Sequence, residues 1–362
     1  MNTFLKPKLH TTLFLLLSLF IQAKLNAQVP GCTDRAANNY NNTATVNDGS
    51  CTYNNITITP TFNANLNTTV NETSGLLWWN RQVWTHNDSG GEPDIYTIDK
   101  TNGDITSTDS VTNASNHDWE DITQDDKYIY IGDMGNNNHG NRTDLRIYRI
   151  KKSAAKKDSI AKAGIIRFSY SDQTDFTPKD ANKTDFDCEA LIAYGDSLFL
   201  FSKNWIDNKT RLYKLPKTPG TYVAEKIGEL DVHGLITGAE IVPDKRVIVL
   251  TGYDAFVTPF IYLLYDFTGN NFFDANKRKV GLNQSFTQVE GICSVNGKSF
   301  YISNERFDKF FIVPAKLQTI NLAPLLNPYY NSSLKDSVPG AIAKNYSSQN
   351  ISSHRSRQAA VK

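Results

Sequence analysis

Four glutamates recur in short, similar phrases along this chain. They stand in Asp118-Trp119-Glu120-Asp121-Ile122, Asp187-Cys188-Glu189-Ala190-Leu191, Gly238-Ala239-Glu240-Ile241-Val242 and Gln288-Val289-Glu290-Gly291-Ile292. A fifth phrase, Thr73-Ser74-Gly75-Leu76-Leu77, carries Ser74 at the aligned place. Carboxylates gathered at one point repel each other unless a cation neutralises them or some take up protons. Oxygen donors without a Cys/His pattern suit a hard cation. Ca²⁺, which accepts six to eight oxygens, fits better than Mg²⁺, which demands a tight octahedron. The competing reading is that these glutamates accept backbone N–H groups and hold no metal.

The phrases come together only if the chain repeats. By subtraction, the aligned residues lie 46, 69, 51 and 50 apart. Each phrase is followed by a second run of β-formers, a third, and in most units a weaker fourth, with Asn102-Gly103 and Asn296-Gly297 as turn signals. A period near 50 with several strands per unit predicts an all-β β-propeller. We read a five-bladed β-propeller over 55–325, with six blades as the alternative if a unit hides in the 69-residue interval. The last unit lacks a fourth strand, and residues 56–62, which alternate like a strand, are expected to supply it and close the ring. The innermost strands would then set Ser74, Glu120, Glu189, Glu240 and Glu290 around one axis.

The loops leaving the second strands should rim the same mouth. They offer Trp84, Asn87, Asn136, Lys203, Asn204, Trp205, Tyr253, Asp254, Asn304 and Arg306 as candidate ligand contacts. His86 is a weak candidate general base, with Asp88 or Asp133 to orient a water. No Ser-His-Asp arrangement or Gly-rich phosphate loop is present.

At these residues the chain resembles the calcium-activated nucleotidases, the soluble apyrase family of secreted five-bladed propellers. That family surrounds one Ca²⁺ with hydroxyl, Glu, Glu, hydroxyl and Glu from successive blades. Glu72-Thr73-Ser74-Gly75-Leu76, Glu120, Glu189 and Glu290-Gly291-Ile292 resemble four of these elements, and Thr237 or Glu240 stands for the other. The resemblance implies a Ca²⁺ cofactor and hydrolysis of nucleoside phosphates. Such chemistry needs cations facing the phosphates; Lys203 and Arg306 stand on the expected rim, with Arg142, Arg146 and Arg211 nearby. The reading favoured by the residues is a propeller that binds Ca²⁺ and a small-molecule, glycan or protein ligand. The alternatives are a Ca²⁺-dependent hydrolase of nucleoside phosphates or another ester, and a glycan-binding or glycan-cleaving propeller with Trp84, Trp205 and Tyr253 as stacking surfaces.

The remaining chain speaks to compartment. Residues 1–27 read as a signal peptide: Lys6 and Lys8, an apolar core from Leu13 to Ile21, and a small residue at Ala27. No segment reads as a membrane span, so a secreted protein of the periplasm, cell surface or medium is expected. Cys32 and Cys51 should pair and staple a module at 28–54. That module resembles a Cys-bounded element common in exported Bacteroidetes proteins. Its Asp34 and Asp48 read as solvated loop carboxylates. Cys188 and Cys293 read as small buried residues. Residues 326–362 are Asn-, Ser- and Lys-rich and read as a flexible tail. A net charge of +1 without a basic block excludes a nucleic-acid polymer as partner.

Overall fold

The computed structural model describes residues 28–155, 162–308 and 312–333. The expected signal peptide, and the tail beyond 333, lie outside the described residues. Strands β1 (Pro30–Gly31) and β2 (Val46–Asn47) pair within the N-terminal module, and β3 (Thr57–Ile58) and β4 (Thr61–Asn65) follow. Five successive meanders come next. The first contains β5 (Thr73–Trp79), β6 (Gln82–Asn87), β7 (Asp94–Ile98) and β8 (Ile105–Ser110). The second contains β9 (Trp119–Gln124), β10 (Tyr128–Asp133), β11 (Arg146–Lys151) and β12 (Gly164–Tyr170). The third contains β13 (Cys188–Tyr194), β14 (Ser197–Ser202), β15 (Lys209–Pro216) and β16 (Gly220–Asp231), and β16 also pairs in parallel with β12. The fourth contains β17 (Leu235–Val242), β18 (Val247–Tyr253), β19 (Pro259–Tyr265) and β20 (Asn276–Leu282). The last contains β21 (Val289–Ser294), β22 (Ser299–Asn304) and β23 (Lys316–Asn321).

The first strands neighbour one another in cyclic order, β5 to β9, β13, β17, β21 and back to β5. This is a β-propeller. Its apolar interior is divided accordingly into five clusters, each between two adjacent meanders. Trp84 and Ile95, for example, pack on Trp119 and Ile129 across the first interface. Burying such side chains contributes roughly 1.5–3 kcal/mol each.

The last meander is completed by β4, antiparallel to β23. The closing strand is therefore 61–65 and not 56–62. Pro60 separates the two candidates and has no N–H to donate to a ladder. The stretch before it, β3, pairs instead with β20 at the edge of the preceding sheet.

The N-terminal module is closed by the Cys32–Cys51 disulfide. Asp34 is not a solvated loop carboxylate. It is buried, and its Oδ2 accepts the hydroxyls of Tyr53 at 2.7 Å and Tyr265 at 2.5 Å, docking the module on β19. At the other end, the stretch expected to begin the tail forms helix α1 (Ala323–Ser333). Its Leu326, Tyr329 and Tyr330 join the core between the fourth and fifth meanders. Tyr329 and Tyr330 donate to the carbonyls of Lys245 and Gly297. Cys188 and Cys293 are free and buried.

One carboxylate ties the inner strands together. Asp121 is fully buried and accepts N–H bonds from Leu191 at 2.7 Å, Ile122 at 2.8 Å and Ala239 at 3.3 Å. It thereby links β9 to β13 and β17 across the axis. Orphaning a buried donor costs about 1–3 kcal/mol. We expect Asp121→Ala to lower the unfolding free energy by at least about 2 kcal/mol in a denaturant titration; a change below about 0.5 kcal/mol would contradict the staple.

Candidate functional site

Every innermost strand carries a β-bulge at one corresponding place. On β9, Gly132 opposes Asp121 and Asp133 opposes Trp119, so Glu120 is left unopposed. Glu189 is skipped in the same way on β13 and Thr237 on β17. Ser74 and Gly75 together face one residue on β5, as Glu290 and Gly291 do on β21. A bulge bends the strand and re-aims the extra side chain. Here it does so five times, at Ser74, Glu120, Glu189, Thr237 and Glu290. The strands crowd closely enough that a Cβ on Gly238 would stand 2.0 Å from the Glu290 carbonyl oxygen.

The side chains of Ser74, Glu120, Glu189 and Glu290 line one cavity of about 190 Å³. Thr237 stands beside it, its hydroxyl donating to the Val289 carbonyl at 2.5 Å. Ser74 donates to the Glu120 carbonyl. Glu240 is elsewhere. It lines the opposite mouth of the channel, an opening of about 910 Å³ shared with Trp78, Trp79 and Arg149. The fourth ring position is thus Thr237, three residues before the aligned glutamate, because the bulge falls there.

Around the ring the cavity gains residues that the repeats did not single out: Asn137, Asn182, Gln288 and Glu305. Asp118 and Asp187 adjoin it. Carboxylate oxygens of Asp88, Asp118 and Glu120 lie within 4.8 Å of one another, and so do those of Glu120, Asp187 and Glu189. Asp118 and Asp187 each precede a ring glutamate by two residues, a spacing that returns a side chain to the same side of a strand. That Asp-x-Glu spacing was the signal available for them.

Lys203 is the cation built into the cavity wall. It is 4% exposed, and its Nζ donates to both carboxylate oxygens of Glu189, at 2.6 and 2.5 Å. The ammonium lies 4.8 Å from the centre of the Trp205 ring and 5.2 Å from that of Tyr253. Burial opposes its charge, but Glu189 and the surrounding acids hold its pKa well above the usual value. Glu120 has no such relief. It is 4% exposed, and no described group donates to its carboxylate. Burial, then repulsion from Asp88 and Glu189, pushes its pKa well up. Asp118 is pushed up to about 6, by burial first and then by Asp187. Such a site favours the arrival of positive charge. The residues fit a hard cation on the chemistry of the donors alone: hydroxyl and carboxylate oxygens, with no Cys or His in the lining.

Several expected rim residues are not in this cavity. Trp84 is buried in the core and donates to the Trp79 carbonyl, because on β6 it pairs with Leu77 near the far end of the strand. His86 is fully buried against the edge of Trp119, with its Nε2 unpartnered, and cannot act as a base at the cavity. Asp133 is buried against Arg142 at 2.7 Å and Arg146 at 3.6 Å, away from the cavity lining. Asn87, Asn136 and Asn304 donate their amides to the carbonyls of Thr69, Phe186 and Pro314, and Asn204 donates to Asp207. Asp254 caps its turn by accepting from Phe256 and Thr258, and exposed Arg306 pairs with Asp308. Of the expected contacts, Asp88, Lys203, Trp205 and Tyr253 line the cavity.

No protein-family model and no curated protein matches the chain. Among solved structures, the endo-arabinase from Bacteroides thetaiotaomicron is 10% identical, over 72% of this chain and 97% of its own, with a TM-score of 0.41. An exo-beta-1,3-galactanase from Phanerochaete chrysosporium is 9% identical, over 77% and 63%, with a TM-score of 0.42. BamB from Moraxella catarrhalis is 12% identical, over 68% and 57%, with a TM-score of 0.27. The chain therefore spans less than two thirds of the galactanase and of BamB. Likeness at this level carries no argument about activity, and the propeller stands on its own strand topology. Among the described residues no helix is long and apolar enough to cross a membrane.

Burial lowers the His86 pKa from 6.5 to about 4, against the small opposing effect of its bond to the Asn87 carbonyl. The unfolded chain then binds a proton that the native ring refuses. Stability held above pH 6.5 should fall as pH drops through about 4, by about 3 kcal/mol in all. Urea titrations across this range should show the acid slope flattened in His86→Gln, whatever the variant's absolute stability. An unchanged slope would contradict the assignment.

Proposed function

We propose that the chain is an exported β-propeller that binds Ca²⁺ within its axial ring and presents a ligand-binding mouth above it. The observation that supports this best is the set of five bulges, which gathers hydroxyl and carboxylate oxygens at one point and leaves the buried Glu120 carboxylate without a donor. Ser74, Glu120, Glu189, Thr237 and Glu290 would hold the cation, in the order hydroxyl, Glu, Glu, hydroxyl, Glu that the nucleotidase resemblance implies. A bound cation would supply a fixed positive charge for a ligand oxygen. Trp205 and Tyr253 would form the wall against which the ligand packs, with Gln288 and Asn182 as adaptable polar contacts. The N-terminal disulfide and the 1–27 stretch support export.

Ligand binding is favoured over phosphate hydrolysis because the cations are already engaged. Lys203 is held by Glu189, Arg142 by Asp133 and Asp144, Arg146 by Asp144, and Arg211 by Asp185. These four are therefore not free to meet a transferring phosphoryl group. The glycan alternative loses Trp84 to the core and keeps two rings.

A ligand that binds only the native state stabilises it by about 2.7 kcal/mol at a hundred times its dissociation constant. Thermal unfolding in Ca²⁺ should therefore occur several degrees above that in chelator, and Glu120→Gln should abolish most of the difference. Equal midpoints in Ca²⁺ and chelator would refute the reading. Phosphate release from nucleoside di- and triphosphates that needs Ca²⁺ and is lost in Glu120→Gln would replace binding with hydrolysis.

A further inference from the structure

The cavity holds more uncompensated carboxylate than a single axial cation accounts for. Lys203 balances Glu189, and the hydrogen bonds of Asp187 go to the Asn136 N–H at 2.7 Å and the Trp205 indole at 2.7 Å. On the other side of Glu120, Asp88 and Asp118 share a side-chain hydrogen bond but have no ammonium of their own. Arg142, the nearest guanidinium to act on Asp118, is bound to Asp133 and Asp144. Asp88 Oδ1 is buried without a hydrogen-bond partner.

We propose that the cavity takes two divalent cations, bridged by Glu120. One is the axial cation of the ring, at Glu120 and Glu189; the other lies between Glu120, Asp88 and Asp118. The inference rests on the cation reading above and extends it to a second position. Three observations carry it. The two acid triads share one residue, Glu120, and each keeps its carboxylate oxygens within 4.8 Å. Glu120 is 4% exposed, faces the cavity and receives no hydrogen bond from a described group, so both of its oxygens remain free for cations. Gly135 presses its backbone onto the outer triad: a Cβ there would stand 2.0 Å from Glu120 Oε1 and 2.4 Å from Asp118 Oδ2. The loop after β10 thus holds the two carboxyl groups close against one stretch of backbone, where any side chain would displace them. A shared carboxylate between oxygen-rich triads suits hard divalent ions such as Ca²⁺ or Mn²⁺.

The test uses the purified chain, stripped with chelator, titrated with Ca²⁺ by calorimetry and counted for bound metal by elemental analysis after gel filtration. The expected result is two cations per chain for the wild type and one for Asp118→Asn. One cation in the wild type, unchanged in Asp118→Asn, would overturn the second position and leave the axial reading standing. No cation in the wild type would overturn both. Mn²⁺ titration of the wild type, followed by electron paramagnetic resonance, covers the case in which the variant fails to fold. A spin-coupled spectrum at two equivalents supports the bridged pair, and two isolated-ion spectra overturn it.

Discussion

Like charges are held close together at the axis of this propeller, and much of its architecture follows from how the chain gets them there. Five inner strands approach one another too closely for ordinary side chains; Gly238 is pressed against the next strand's backbone. Each strand inserts one extra residue at this crowded place, and four of the five line the acidic cavity. The result concentrates oxygen donors in a small volume and excludes most of the water that would otherwise screen them. Lys203 on Glu189 relieves part of the repulsion from within, and Asp121, on the inner side of the ring, turns its own charge to structural use by collecting backbone N–H groups.

The two mouths of the channel are consequently unlike. One is small and acidic and rimmed by Trp205 and Tyr253. The other is wider, and mixes Trp78 and Trp79 with Arg149, Lys152 and the displaced Glu240. Helix α1 packs beside the wide mouth, holding the loops at Lys245 and Gly297. The N-terminal module fastens to the outer part of the fourth meander through Asp34 and Tyr265. Neither appendage lines the acidic cavity, whose wall comes from the ring residues, the loops after the second strands and the connections between meanders that carry Asn182 and Gln288.

The repeats were legible because β-formers alternate with turn residues at a steady period, and meander topology follows from that pattern. Glutamates 120, 189 and 290, with Ser74, could be aligned because their phrases are alike. Thr237 was obscured by Glu240, since a bulge has no signature in residue type. The better guide was the small residue after the ring position: Gly75, Gly238 and Gly291 each follow one. Trp84 and His86 were misplaced for a related reason. Their polar neighbours look like a loop, yet both belong to β6 and point into the core between meanders. The bond between Lys203 and Glu189 joins residues fourteen apart across a hairpin, and only the register of β13 against β14 brings them together. The closing strand was found by the need to close the ring, while its register was set by Pro60.

The bulge residues are proposed to converge on a cation. A crystal of the chain grown with Mn²⁺ and measured for anomalous scattering addresses it directly. An anomalous peak is expected within coordination distance of the Glu120 and Glu189 carboxylates, and none beside Glu240. An empty ring with Lys203 still locked on Glu189, or metal bound only at the wide mouth, would contradict it.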